Sequence, residues 1–288
     1  MPTGSADARA KIWTGALTGA LMALALVSCA TPWPAGAPVV GTGASASSPG
    51  PAAPSVVPPS SSPTTFLPAV TPPGIPSGAA PGTPRPAGEL AGLNARLLQA
   101  SAANDAAEVT ALLDRGAELE VRNADGRTPL IAATKTNGVG AVGVLIAAGA
   151  DVNAKDVMAD SAFLYAGAEG LDEILLLTLS HGADVASINR YGGTALIPAS
   201  EHAHVRTVQI LITAGVPVNH VNNLGYTALL EAVMFGTGST DYQATIGQLI
   251  AAGAEVDRAD NAGVTALRHA ELLRQSGVAR ILRDAGAR

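Results

Sequence analysis

Three regimes of hydrophobic and polar order divide the chain. Residues 12–27 form an uncharged run rich in Leu, Ala and Gly, and residues 30–88 hold almost no large apolar groups. From residue 89 onward, short apolar stretches recur between polar ones at a fixed interval. In one recurrence IAATKTN (131–137) and AVGVLIAA (141–148) read as two short helices, and DVNAKD (151–156) as an extended arm leading to a turn. The predicted unit is helix, helix, outward-pointing hairpin, and its repetition predicts an all-α repeat solenoid.

Two punctuation series set the period. Gly116, Gly149, Gly182, Gly215, Gly253 and Gly286 are spaced 33, 33, 33, 38 and 33 residues apart. Thr128, Ser161, Thr194 and Thr265 each stand 21 residues before their glycine, whereas Thr227 stands 26 before Gly253. Five residues are therefore inserted in the fifth unit, near 236–243, where the glycines predict a mobile loop between helices. A hydroxyl before Pro or Ala suits a helix start, because its oxygen can accept from a free backbone amide. A glycine suits a helix stop, where a left-handed residue is cheapest without a side chain. The first unit lacks the Thr-Pro start. The last ends ARILRDAGAR, placing Ile281 and Leu282 inward and Arg280, Arg283 and Asp284 in water, as a terminal cap requires.

The sequences DGRTPL (125–130) and GADVNAKD (149–156) are those of the ankyrin repeat almost letter for letter. The resemblance spans residues 89–288 and implies six ankyrin repeats. There are departures. The histidine that often follows the TPL motif is replaced by Ile131, Leu164, Ile197, Leu230 and Arg268, which puts its turn hydrogen bonds in doubt. Repeat three reads VMADSA (157–162), without a turn glycine, so its hairpin geometry is the one least fixed by the sequence.

Upstream, Arg9 and Lys11 precede the apolar run, whose 16 residues fall short of the ~20 that span a bilayer. Leu26-Val27-Ser28-Cys29 resembles the bacterial lipobox. That resemblance implies a signal peptide over 1–28, cleavage before Cys29, and lipid attachment to its thiol. Ala30 rather than Asp after the cysteine implies the periplasmic face of the outer membrane in a Gram-negative cell; a Gram-positive plasma membrane, or a plain secretory signal with an incidental Cys29, are the alternatives. Residues 30–88 hold 16 of the 20 prolines and Arg85 as their only charge. With so little to bury, residues 29–88 are expected to form a disordered Pro/Ala/Gly/Ser linker reaching ~40 Å as a coil and ~180 Å fully extended. A glycosylated mucin-like stalk has the same composition.

Cys29 is the only cysteine, which excludes an intramolecular disulfide and a zinc site built on cysteine pairs. Net charge is -6; removing 1–28 takes away Arg9, Lys11 and Asp7, leaving 15 basic against 22 acidic residues and -7. Without a basic run, nucleic acid is not an expected partner. GVGAVG (138–143) matches G-x-G-x-x-G but follows a helical pattern instead of a strand, so no dinucleotide cofactor is expected. Glu201, His202, His204 and His220 suggest a metal only until their helical spacing separates them. Asp172 and Glu173 open a second helix, where negative charge suits the helix dipole.

The ankyrin resemblance implies partner binding through the hairpin tips and the inner helix row, which together make a concave face. Carried over by position, the candidate residues are Tyr165, Glu169, Arg190, Tyr191, Glu201, His202, Asn222, Asn223, Tyr226, Glu231, Met234 and Phe235. All six aromatic residues beyond residue 89 lie between Phe163 and Tyr242, within repeats three to five, and Phe163 falls at a buried leucine position. Aromatic side chains dominate interfaces because they bury much area with few rotors. The expectation is a monomeric, non-enzymatic protein–protein scaffold in the cell envelope, serving stress defence or toxin immunity and needing no cofactor or metal. The alternative is a small-ligand binder or envelope enzyme using the groove of repeats three to five.

Overall fold

The computed structural model describes residues 87–288; the leader, Cys29 and the linker before residue 87 lie outside the described residues. Six helix pairs follow one another: α1 (Ala87–Ala102) with α2 (Ala106–Asp114), α3 (Pro129–Lys135) with α4 (Val139–Ala147), and α5 (Ala162–Glu169) with α6 (Asp172–Ser180). Then come α7 (Leu196–Glu201) with α8 (Val205–Thr213), α9 (Ala228–Met234) with α10 (Thr240–Ala251), and α11 (Ala266–Leu272) with α12 (Ser276–Asp284). The described residues form no strand, only an isolated bridge between Ala259 and Thr265. First helices stack on first helices and second on second, giving two parallel rows. None of the described helices is long and apolar enough to cross a membrane.

Residues in equal register explain the stacking. Ala100, Ala133, Ala166, Ala199, Ala232 and Ala270 are all buried in the first-helix row. A methyl-sized side chain at every level lets these helices approach closely. Leu97, Leu130, Phe163, Leu196, Leu229 and Leu267 fill the space beside them, with Phe163 fully buried at the expected leucine position. In the second row Leu112, Leu145, Leu211, Leu249 and Leu282 repeat, and Thr178 takes the level between Leu145 and Leu211. Its hydroxyl donates to the Leu175 carbonyl at 2.8 Å, which removes the cost of burying it. Each such leucine is worth ~1.5–3 kcal/mol. At the C-terminal end Leu282 is buried and Ile281 packs partly against the core, while Arg280, Arg283 and Asp284 are exposed.

The punctuation holds with one departure. All six helix-stop glycines are left-handed, with φ between 82° and 92°. Thr128, Ser161, Thr227 and Thr265 cap α3, α5, α9 and α11 by accepting from the amide three residues on. Thr194 does not cap α7, which starts only at Leu196. Pro198 stands where the other repeats have an N–H bonded to the cap carbonyl; lacking that donor, the first turn tightens so that the Ile197 amide bonds the Thr194 carbonyl at 3.2 Å. Repeat three keeps the common turn despite its missing glycine, because Ala159 itself adopts φ 58°.

Candidate partner-binding face

The hairpin turns are built around one acceptor each. Asn123, Asp156, Asn189, Asn222 and Asp260 recur in register, and each Oδ1 accepts from the amides two and four residues on at 2.9–3.1 Å. These side chains secure the turns without the histidine that the family often carries. The positions it would occupy hold Ile131, Leu164, Ile197 and Leu230, all buried in the core, and the exposed Arg268. Neighbouring turns are also joined: the Val157 amide donates to the Asp125 carbonyl at 3.1 Å, the Asn223 amide to Tyr191 at 2.9 Å, and Asn261 Nδ2 to Leu224 at 3.0 Å.

On this frame the turn tips of repeats three to five are apolar. Val157 is 69% exposed, and Met158, Ile188 and Leu224 are exposed beside the partly buried Tyr191. Sequence reasoning named Tyr191 and missed the others, although four large apolar residues in or beside the turns were there to be seen. Arg190 lies over the Tyr191 ring at 4.5 Å and donates through Nη2 to its hydroxyl at 3.0 Å. Asn223 is exposed beside Leu224.

Below the tips, the ends of the first helices meet the turns. Lys135 sits 4.1 Å over the Tyr165 ring and 3.3 Å from Asp160. Burial pushes the Tyr165 phenol up to about 12, with the Glu169 charge adding to it. Burial likewise raises the Asp160 carboxyl, against the lowering pull of Lys135. In repeat five Asn222 and Glu231 are buried and bonded to each other, Nδ2 to Oε1, at 2.7 Å. They support the face from beneath. Burial, then the Glu201 charge, pushes the Glu231 carboxyl up to about 8. Tyr226 meets Phe235 nearly edge-on at 6.4 Å between ring centres, and Phe235 is 47% exposed. Met234 packs partly on the core.

Repeat four contributes Glu201, half-buried with its carboxyl raised by burial, and the exposed His202. The His202 ring lies 5.7 Å from that of His204, whose own ring covers Gly170 and is held below the usual range by burial and by His202. His220 points elsewhere, its Nε2 2.6 Å from the Gly192 carbonyl. No group of His, Cys, Asp or Glu among the described residues is placed to hold a metal.

The inserted loop is tied at several points. Tyr242 donates to the Glu201 carbonyl at 2.8 Å, and Gln275 Nε2 reaches both Val233 and Gly236 carbonyls at 3.0 and 2.8 Å. Two of the three glycines of 138–143 have a packing use: a Cβ on Gly138 or Gly140 would lie within 3.2 Å of Asn104, whose Oδ1 accepts from the Ala141 amide at the start of α4, whereas one on Gly143 would meet open space. On the opposite side, Leu176, Leu179, Gln209 and Ile210 line an open hollow between α6 and α8.

Comparison with known proteins places this architecture. A family model for ankyrin repeats in three copies matches residues 163–257, and a single ankyrin repeat model matches 125–157. The crystal structure of an ankyrin repeat domain from Acinetobacter baumannii AYE is 49% identical, with a TM-score of 0.65, covering 67% of this chain and 98% of that one. The ankyrin repeat protein EF0377 is 37% identical, with a TM-score of 0.62, covering 65% of this chain and 96% of its own. No curated protein matches the chain. Ankyrin domains are in general protein–protein interaction scaffolds and typically carry no enzymatic activity. With stacked helix pairs, left-handed glycine stops and 49% identity to a solved member, this chain belongs to the ankyrin-repeat family.

Proposed function

We propose that the chain is a lipid-anchored docking protein of the cell envelope, holding a partner protein against the turns and first helices of repeats three to five. One observation carries the docking surface. Of the eight large hydrophobic side chains exposed among the described residues, Val157, Met158, Ile188, Leu224 and Phe235 belong to those turns and first-helix ends, Leu272 and Leu273 continue the row at the first-helix end of repeat six, and Leu176 lies on the second-helix row. Clustered exposed apolar groups of this kind mark interaction sites in soluble domains. The partner would be a stress-defence protein or a toxin held in an immunity complex. The anchor is supported by the single cysteine, which ends the apolar leader and precedes a long proline-rich tether. Two or three acyl chains hold firmly, at ~0.8 kcal/mol for each buried methylene.

Replacing Tyr165, Tyr191 and Phe235 together with Ala should weaken capture of the native partner by more than ~2 kcal/mol while helical circular dichroism persists. Undiminished capture refutes the face. Cys29→Ser should abolish labelling by an alkyne fatty acid and release the protein from membranes; retention on the membrane refutes the anchor.

A further inference from the structure

Two places on the face carry the same kinds of group in a different order. Between repeats two and three, Lys135 Nζ lies 4.1 Å from the centre of the Tyr165 ring, 3.3 Å from Asp160 Oδ2 and 3.7 Å from Asp156 Oδ2. The ring quadrupole and the carboxylates hold that cation together. Two repeats on, 66 residues later, Glu201 stands at the position of Lys135, Asn222 at that of Asp156, Tyr226 at that of Asp160, and Glu231 at that of Tyr165. Ring and carboxyl have exchanged places, and the cation has been replaced by a second carboxyl. Tyr226 is joined by Phe235, whose ring meets it edge-on and is 47% exposed. Among the described residues no Lys or Arg forms an ion pair with Glu201 or Glu231; the exposed His202, its ring 5.7 Å from that of His204, exerts a lowering pull on the Glu201 carboxyl.

We infer that repeats four and five receive a Lys or Arg side chain of the partner protein, seated against the Tyr226 and Phe235 rings, beside the half-buried Glu201 and over the Glu231 carboxyl beneath the face. The chain supplies this cation itself at repeats two and three and leaves it to the partner at repeats four and five. Charge complementarity selects the occupant. Burial raises the cost of ionising both carboxyls, and the Glu201 charge adds to that of Glu231, so an arriving cation relieves a tension that an apolar side chain would leave in place. Asn222, already bonded to Glu231, fixes that carboxyl in position before the partner arrives. A Lys or Arg here would fix the register of an apolar contact that the turn tips alone leave free to slide.

This inference rests on the docking face proposed above, and one experiment separates the two. A random peptide library is selected on the full chain, and the recovered peptides are measured against Glu201→Gln, Glu231→Gln and Phe235→Ala. The expected result is a Lys or Arg at one fixed position of the recovered sequences. Each glutamine variant, and a Gln at that peptide position, then weakens binding at least ~10-fold, with the thermal midpoint undiminished. Peptides that need Phe235 but carry no such cation, or whose cation is indifferent to both glutamine variants, overturn the inference and leave the face standing. Peptides indifferent to Phe235→Ala as well overturn both.

Discussion

Repeats four and five open with nearly the same words, NRYGGTALIPAS (189–200) and NNLGYTALLEAV (222–233), yet they are held very differently. In repeat five the Thr227 hydroxyl caps α9, and the Glu231 amide bonds the Thr227 carbonyl at 3.0 Å. In repeat four Pro198 takes the place of Glu231, the helix shortens to six residues, and the Thr194 and Ser200 hydroxyls are buried without a partner. A second tie is also missing. Asn219 clamps the far end of repeat five, accepting from the Glu255 amide at 2.8 Å and donating to the Gly253 carbonyl at 2.9 Å. The corresponding pair in repeat four is Ala186 and Pro217, one without an acceptor side chain and the other without an N–H. Repeat four is therefore held chiefly by its neighbours, and it lies at the middle of the proposed docking face. A motif shared by two repeats sets the period of the stack, while single residues decide how firmly each level is held.

Moving the proline should break the contrast most visibly. Ala132→Pro puts the repeat-four lesion into repeat two, where the Ala132 amide now bonds the Thr128 carbonyl at 2.9 Å. The expected loss is ~3 kcal/mol in urea unfolding, and a loss under ~1 kcal/mol would mean that the proline is not what weakens repeat four. The buried carboxyl of repeat five gives the next effect. Because the Glu231 carboxyl is raised to about 8 in the folded chain, its contribution is present below its ordinary range near 4.5 and is lost as pH rises through about 8. The native protein should weaken by on the order of 2 kcal/mol across that window relative to Glu231→Gln, whose amide oxygen can still accept from Asn222. Parallel pH curves would contradict the burial argument.

Smaller changes sharpen the comparison. Asn219→Ala should cost ~1–2 kcal/mol by removing two hydrogen bonds. Ala186→Asn alone should gain nothing, because Pro217 offers no amide, whereas Ala186→Asn with Pro217→Asp should gain ~1 kcal/mol. Equal effects from the single and double changes would refute the missing clamp. Last, Thr227→Val should cost ~1 kcal/mol as a lost cap, while Thr194→Val should cost none, its hydroxyl having no partner to lose. Matching thermal midpoints for these two variants would erase the difference.

The period, the helix pairs and the glycine stops were legible because they follow from backbone rules that local sequence states openly. Phe163 was legible as core for the same reason: its register position is that of Leu130 and Leu196. The failure at Thr194 was visible in principle, since Pro198 stands in the sequence, but the threonine motif alone reads as a cap. The turn acceptors Asn123, Asp156, Asn189, Asn222 and Asp260 also recur in register, and their meaning emerges only when both amides are seen to point at one oxygen. Of the candidate face, sequence found the aromatic residues and missed the aliphatic tips. It also could not tell that Asn222 and Glu231 bond to each other beneath the surface, because helical spacing gives a direction but not the neighbour that covers it.

The most direct test of docking through repeats three to five is photo-crosslinking in living cells from single sites. A photoreactive residue replacing Leu224 or Phe235, both exposed on the face, should yield one protein adduct identified by mass spectrometry, and one replacing the exposed Arg206 on the second-helix row should not. Protein adducts from position 206 alone, or only small-molecule adducts from positions 224 and 235, would contradict the account.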